Sequence, residues 1–219
     1  MTMNEPARGV HPAWLVASAV GGVGWTALVR WNPPHFFAWA ALYCALWMAV
    51  SVLALGREGR ARLVPRGEDV LWGVTFAGVL YVGSRGVLWA LCGGFSRVLC
   101  EPLLEVYTGF GRGGWLSAVV LVLLIAPAEE VFWRGVVQGA LRPRVGVRGC
   151  VVVAAALSSL LLLFFQAPLL ALAAFPTSLA WGLLAEWRRG LLAPWVSHAL
   201  WDVLIIVLAP VIRTGAGNG

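Results

Sequence analysis

The chain has 219 residues, of which 60% are hydrophobic and 12% charged, and its net charge is +6 at pH 7. A soluble domain of this size carries about a quarter charged residues, so a water-soluble globule is excluded and lipid must cover most of the surface. The positive charge does not indicate nucleic acid, because the cations are all arginines and 14 of the 16 are set in short gaps between apolar runs or at the chain ends, whereas a nucleic-acid face clusters them on one soluble surface.

Taken in chain order, the first apolar run follows Arg8 and has no small-x-small cleavage site, so it is expected to be a first span and not a removed signal peptide. A membrane span needs about 20 apolar residues. Runs of that kind fall at about 13–30, 35–55, 69–93, 114–140, 149–166, 169–187 and 191–210. The gaps between them hold turn formers, among them Asn32-Pro33-Pro34, Arg142-Pro143-Arg144, Ala167-Pro168 and Arg188-Arg189-Gly190. The runs lack the two-residue period of a transmembrane β-barrel. The expected fold is therefore all-α, a polytopic transmembrane helical bundle of about seven spans forming a single integral domain over residues 1–219.

Arginine placement tests that count. With the N-terminus in the cytoplasm, alternate loops place ten arginines inside (Arg8, Arg57, Arg60, Arg62, Arg66, Arg142, Arg144, Arg148, Arg188, Arg189) and four outside (Arg30, Arg97, Arg112, Arg213). This bias satisfies the positive-inside rule and predicts a multi-pass cell-membrane protein. Residues 95–114 mix Leu103, Leu104, Val106 and Phe110 with Arg97, Glu101 and Glu105, a pattern expected of an amphipathic segment on the outer interface. Several of the tryptophans, such as Trp72, Trp115 and Trp187, fall near span ends, as an aromatic belt requires. Cys44, Cys92, Cys100 and Cys150 show no C-x-x-C spacing and are expected as free, buried packing residues.

Ionisable residues inside spans cost a few kcal/mol and mark function or a named partner. The fourth run contains Glu129, Glu130 and Arg134; the seventh contains His198 and Asp202. Glu130 and Arg134 are four apart on a helix, as are His198 and Asp202, so each pair shares a face. The first reads as a buried ion pair; Arg85 is expected to be paired as well. Glu129 is turned about 100° from Glu130 and is free to meet His198 across a helix interface. There a carboxylate beside an imidazole can activate water as a general base.

These residues resemble the motifs of the CPBP family, the CAAX-protease and bacteriocin-processing intramembrane proteases also called the Abi family. Its Glu-Glu-x-x-x-Arg motif stands here as Glu129, Glu130 and Arg134, and its His-x-x-x-Asn/Asp motif as His198 and Asp202. The run from Trp181-Gly182 to Gly190 also resembles the family, and the likeness covers about residues 114–205, the family-like catalytic core. The family's middle motif, Phe-x-x-x-His after Ser-Ser-Leu-Leu, is degenerate: Ser158-Ser159-Leu160-Leu161 is followed by Leu162 and Gln166. The resemblance implies an intramembrane endopeptidase that cleaves a membrane-associated protein or peptide tail. Glu129 would be its base, His198 and Asp202 would bind the oxyanion, and Gln166 would orient water or substrate, with Glu130 and Arg134 in support. A catalytic zinc normally has three protein ligands, and an amide is a poor substitute for imidazole. Zinc is thus disfavoured and a glutamic-type mechanism without cofactor is preferred. The rival readings are a non-catalytic membrane scaffold, chaperone or immunity protein of the same family, and a small ion-coupled transporter.

Overall fold

The computed structural model describes residues 12–94, 100–103, 105, 114–165 and 168–208. Among them every regular element is helical and no strand occurs. Helix α1 is Pro12–Trp31, α2 Phe36–Ala54, α3 the short Arg57–Ala61, and α4 Gly67–Gly94. Helix α5 runs Trp115–Leu161, α6 Pro168–Arg188, and α7 Leu192–Leu208. Local chemistry sets several of these ends. Asn32 and His35 take left-handed backbone angles on either side of the two prolines between α1 and α2. Glu68 and Asp69 sit in the first turn of α4 and Arg188 in the last turn of α6, where they offset the helix dipole.

Four helices, α2, α4, α5 and α6, are long and apolar enough to cross a membrane; α7 is a shorter apolar helix. Apolar side chains on the outer faces of the bundle are exposed, with Val20 of α1 66%, Leu46 of α2 61%, Val79 of α4 66% and Leu172 of α6 63% accessible. Such continuous apolar surface requires a lipid solvent.

Helix α5 spans 47 residues, about 70 Å at 1.5 Å per residue, more than twice a bilayer's hydrocarbon core of about 30 Å. It is not straight. Gly146 takes φ 71° and ψ 178° inside it, three residues after Pro143. Arg134 and Ser158 both bond the Ser178 hydroxyl, at 2.9 and 2.8 Å. On an unbroken helix they would lie about 36 Å apart, so the chain doubles back at Gly146 and two antiparallel arms pack on α6. The two runs expected at 114–140 and 149–166 correspond to these arms.

Three gaps that the sequence assigns to one side of the membrane meet at one end of the bundle. Glu186 is held by Arg62 with Nη1–Oε1 at 3.0 Å and by Arg142 at 3.5 Å. Arg188 bonds Asp69 at 2.8 Å and Glu68 at 3.0 Å, and Arg66 donates to the Arg188 carbonyl. The opposite end of α4 carries a disulfide between Cys92 and Cys100. This corrects the expectation of four free cysteines; Cys44 and Cys150 alone are free and buried among the described residues. The bond joins positions eight residues apart through the end of α4, a proximity that spacing alone does not reveal. Arg85 is exposed and donates to the Tyr81 hydroxyl at 2.9 Å, one turn earlier on its own helix. Most of the segment expected to be amphipathic, 95–114, lies outside the described residues.

Candidate active site

Two widened, π-type stretches of α5, Leu121–Ile125 and Val131–Val137, flank the regular turn Ala126–Glu130 that carries both acids. Pro127 has no N–H to give to the preceding turn, and the helix loosens beside it. Wide turns of this kind are frequent at functional sites. They place Glu129, Glu130 and Arg134 against α6 and α7, whose Trp181, His198 and Asp202 complete the cluster.

His198 is the hub. Its Nδ1 lies 2.8 Å from Glu130 Oε1. Its Nε2 faces Glu129 Oε2 at 3.8 Å and Asp202 Oδ2 at 3.6 Å. Two consecutive carboxylates set about 100° apart on α5 therefore bracket one imidazole from two sides. Glu130 is the closer partner, although the sequence marks Glu129. Trp181 stacks on the imidazole with ring centroids 4.0 Å apart and an 18° interplanar angle. Its indole donates to Ser197 at 3.1 Å, so the ring that holds His198 is itself held from α7.

The ion pair expected between Glu130 and Arg134 is present at 3.1 Å, with both side chains nearly inaccessible. Arg134 also donates to the carbonyl and hydroxyl of Ser178 at 3.1 and 2.9 Å. One turn on, Gln138 donates to the Gly182 carbonyl at 3.2 Å and to Glu186 at 2.8 Å. Glu130, Arg134 and Gln138 form a ladder at four-residue spacing that meets a second ladder, Ser178, Gly182 and Glu186. This polar seam ties the site to the arginine-rich end of the bundle.

Glu129 differs from Glu130. Its side chain keeps 23% of its exposure, against 1% for Glu130. It borders a cavity of about 170 Å³ that also reaches Arg134, Ser178, His198 and Asp202 and is otherwise walled by side chains such as Leu121, Ile125, Leu162 and Ile205. An apolar pocket with a few converging polar groups is the common form of a binding site. Glu129 Oε1 accepts a hydrogen bond of 2.9 Å from the Trp25 indole of α1. In the sequence Trp181 stood out only as the start of the family-like run and Trp25 not at all; nothing in the local pattern around Trp25 distinguishes it from its neighbours in α1. Leu162 lines the cavity, while Gln166 lies outside the described residues. Among the described residues no group of three or more His, Cys, Asp or Glu side chains is arranged to hold a metal ion.

The fold and site define a multi-pass helical membrane protein with a carboxylate–imidazole centre buried among its helices. Residues 111–204 match the family model described as type II CAAX prenyl endopeptidase Rce1-like. This segment is thus similar to a protease family, and Glu129, Glu130, Arg134, His198 and Asp202, which carry the CPBP resemblance, all lie within it. Helices α1, α2 and α4 lie before it. No curated protein and no solved structure matches the chain.

Proposed function

We propose that the protein is a glutamate-dependent intramembrane endopeptidase that cleaves the tail of a membrane-associated protein, with Glu129 as the base. The observation that carries this reading is the contrast between the two acids. Glu130 is sealed by Arg134 and His198, whereas Glu129 opens onto the cavity with His198 and Asp202 beside it. The Glu129 carboxylate takes a proton from water, and the hydroxide oxygen bonds the scissile carbonyl carbon. With both ring nitrogens protonated, His198 donates through Nδ1 to Glu130 and offers Nε2–H to the oxyanion, while Asp202 aligns Nε2. Collapse breaks the C–N bond, and Glu129 returns its proton to the leaving amine. Gln166 would orient water or substrate through its amide.

Zinc fits this donor set poorly: one imidazole is available, its Nδ1 is engaged by Glu130, and a guanidinium sits 3.1 Å from that carboxylate. Catalytic zinc sites use three protein ligands. The catalytic core is taken as 114–205 within one integral domain. Seven crossings, formed by α1, α2, α4, the two arms of α5, α6 and α7, agree with the reversal at Gly146. A cytoplasmic N-terminus is supported by the ten-to-four arginine bias and by a disulfide at the end of α4 away from the arginines, since disulfides persist on oxidising faces.

The test uses the full chain in nanodiscs and an internally quenched peptide ending in a prenylated Cys-aliphatic-aliphatic-X tail. Turnover is expected for the wild type and should fall about 10²–10⁴-fold in Glu129→Gln, the range of a general base. Chelators should leave it unchanged. Turnover retained in Glu129→Gln overturns the assignment. The loss of the middle-motif histidine at Gln166 favours, as a second reading, a non-catalytic scaffold; wild-type protein that binds the peptide without cleaving it would establish that instead.

A further inference from the structure

We infer that helix α1, which lies outside the family-matched segment, is part of the active site, and that Trp25 is the positioning residue for the Glu129 carboxylate. The inference rests on Glu129 as base. An indole N–H is a donor with no acceptor capacity, and the one at Trp25 is spent on Glu129 Oε1 at 2.9 Å. A carboxylate attached to its backbone through rotatable bonds has many orientations inside a 170 Å³ cavity. Fixing Oε1 leaves Oε2 directed at His198 and the open space, where the attacking water must lie.

Trp25 is itself immobilised. It is 8% exposed, with its ring against Phe36 and Tyr43 at centroid distances of 6.4 Å in each case. The helix carrying it is fastened to α2 by two further bonds: Tyr43 donates to the Gly21 carbonyl at 2.7 Å and Trp47 to the Ser18 carbonyl at 3.0 Å. Thus the α1–α2 pair acts as a rigid arm that delivers one donor to the reacting carboxylate. A base displaced by about 1 Å loses as much as a hundredfold in rate, so this arm sets kcat without contacting the scissile bond.

Trp25→Phe keeps an aromatic wall and removes the N–H. It should lower kcat by about tenfold to a hundredfold with KM within about twofold, while thermal unfolding in detergent stays near wild type. A kcat unchanged in Trp25→Phe, in a background where Glu129→Gln is inactive, overturns the positioning role and leaves the peptidase assignment standing. A parallel loss of kcat and thermal stability also overturns it, in favour of a packing role. Turnover surviving Glu129→Gln overturns Glu129 as the base, and with it the reading on which this inference rests. The ¹⁵N–¹H indole resonance of Trp25, assigned by its disappearance in Trp25→Phe, reads the bond without turnover. It should shift in Glu129→Ala, and an unmoved resonance overturns the inference whatever the peptide assay gives.

Discussion

Arg134 and Glu130 compensate each other inside the bundle, and the consequence of separating them is severe. Removing one member of a buried pair leaves an uncompensated charge at a cost of about 3–5 kcal/mol. Arg134→Met should therefore lower the detergent unfolding temperature markedly and abolish turnover. The effect is aggravated because the Ser178 bonds at 3.1 and 2.9 Å are lost too. Gln166→His would place an imidazole where the CPBP motifs that the chain resembles carry one. We expect turnover to rise by up to about 10²–10³-fold, the range set by one transition-state donor, and to remain insensitive to chelators. A rise that requires added zinc would instead identify a latent metal site.

Between helices, close approach depends on small residues, as expected where lipid replaces water and packing drives association. A Cβ on Gly73 of α4 would fall 2.6 Å from Val196 Cβ and 2.9 Å from the Ala193 carbonyl of α7. Val196 is two residues before His198, so a larger side chain at Gly73 pushes α7 and its imidazole away from Glu130. Gly73→Leu should thus reduce both stability and kcat. Gly78, on the same helix, has nothing within 4 Å of an added Cβ. Gly78→Ala should be neutral or stabilising by up to about 1 kcal/mol, the helix-propensity difference. If the two substitutions behave alike in unfolding and turnover assays, the proposed α4–α7 contact does not govern the site.

The whole molecule is polarised. Arg62, Arg66, Arg142 and Arg188 gather at one end with Glu68, Asp69 and Glu186, and the Cys92–Cys100 bond lies at the far end of α4. The candidate site is nearer the arginine end, since Glu130 and Gln138 are separated by eight residues, about 12 Å of helix, and Gln138 already touches Glu186. Orientation can be read directly in intact cells with a membrane-impermeant maleimide. Arg144→Cys should be protected and Trp115→Cys labelled; the free Cys44 and Cys150 are buried and give a low background. The reverse labelling pattern would invert the topology and place the site near the outer surface.

Much of this was legible in the chain alone. Helix type, lipid solvent and the pairing of Glu130 with Arg134 follow from composition and from the four-residue helical repeat, because both act over short range. The same spacing put His198 and Asp202 on one face and singled out Glu129 as the unpaired acid. The turn between the two arms of α5 was marked by Arg142-Pro143-Arg144, but local rules could not reach relations between helices: the disulfide at the end of α4, the bond from His198 to Glu130, and the indole of Trp25 on Glu129, 104 positions away. Those contacts depend on how helices cross, and crossing is decided by side-chain shape and small-residue placement over the assembled bundle. No periodicity within a single segment encodes it.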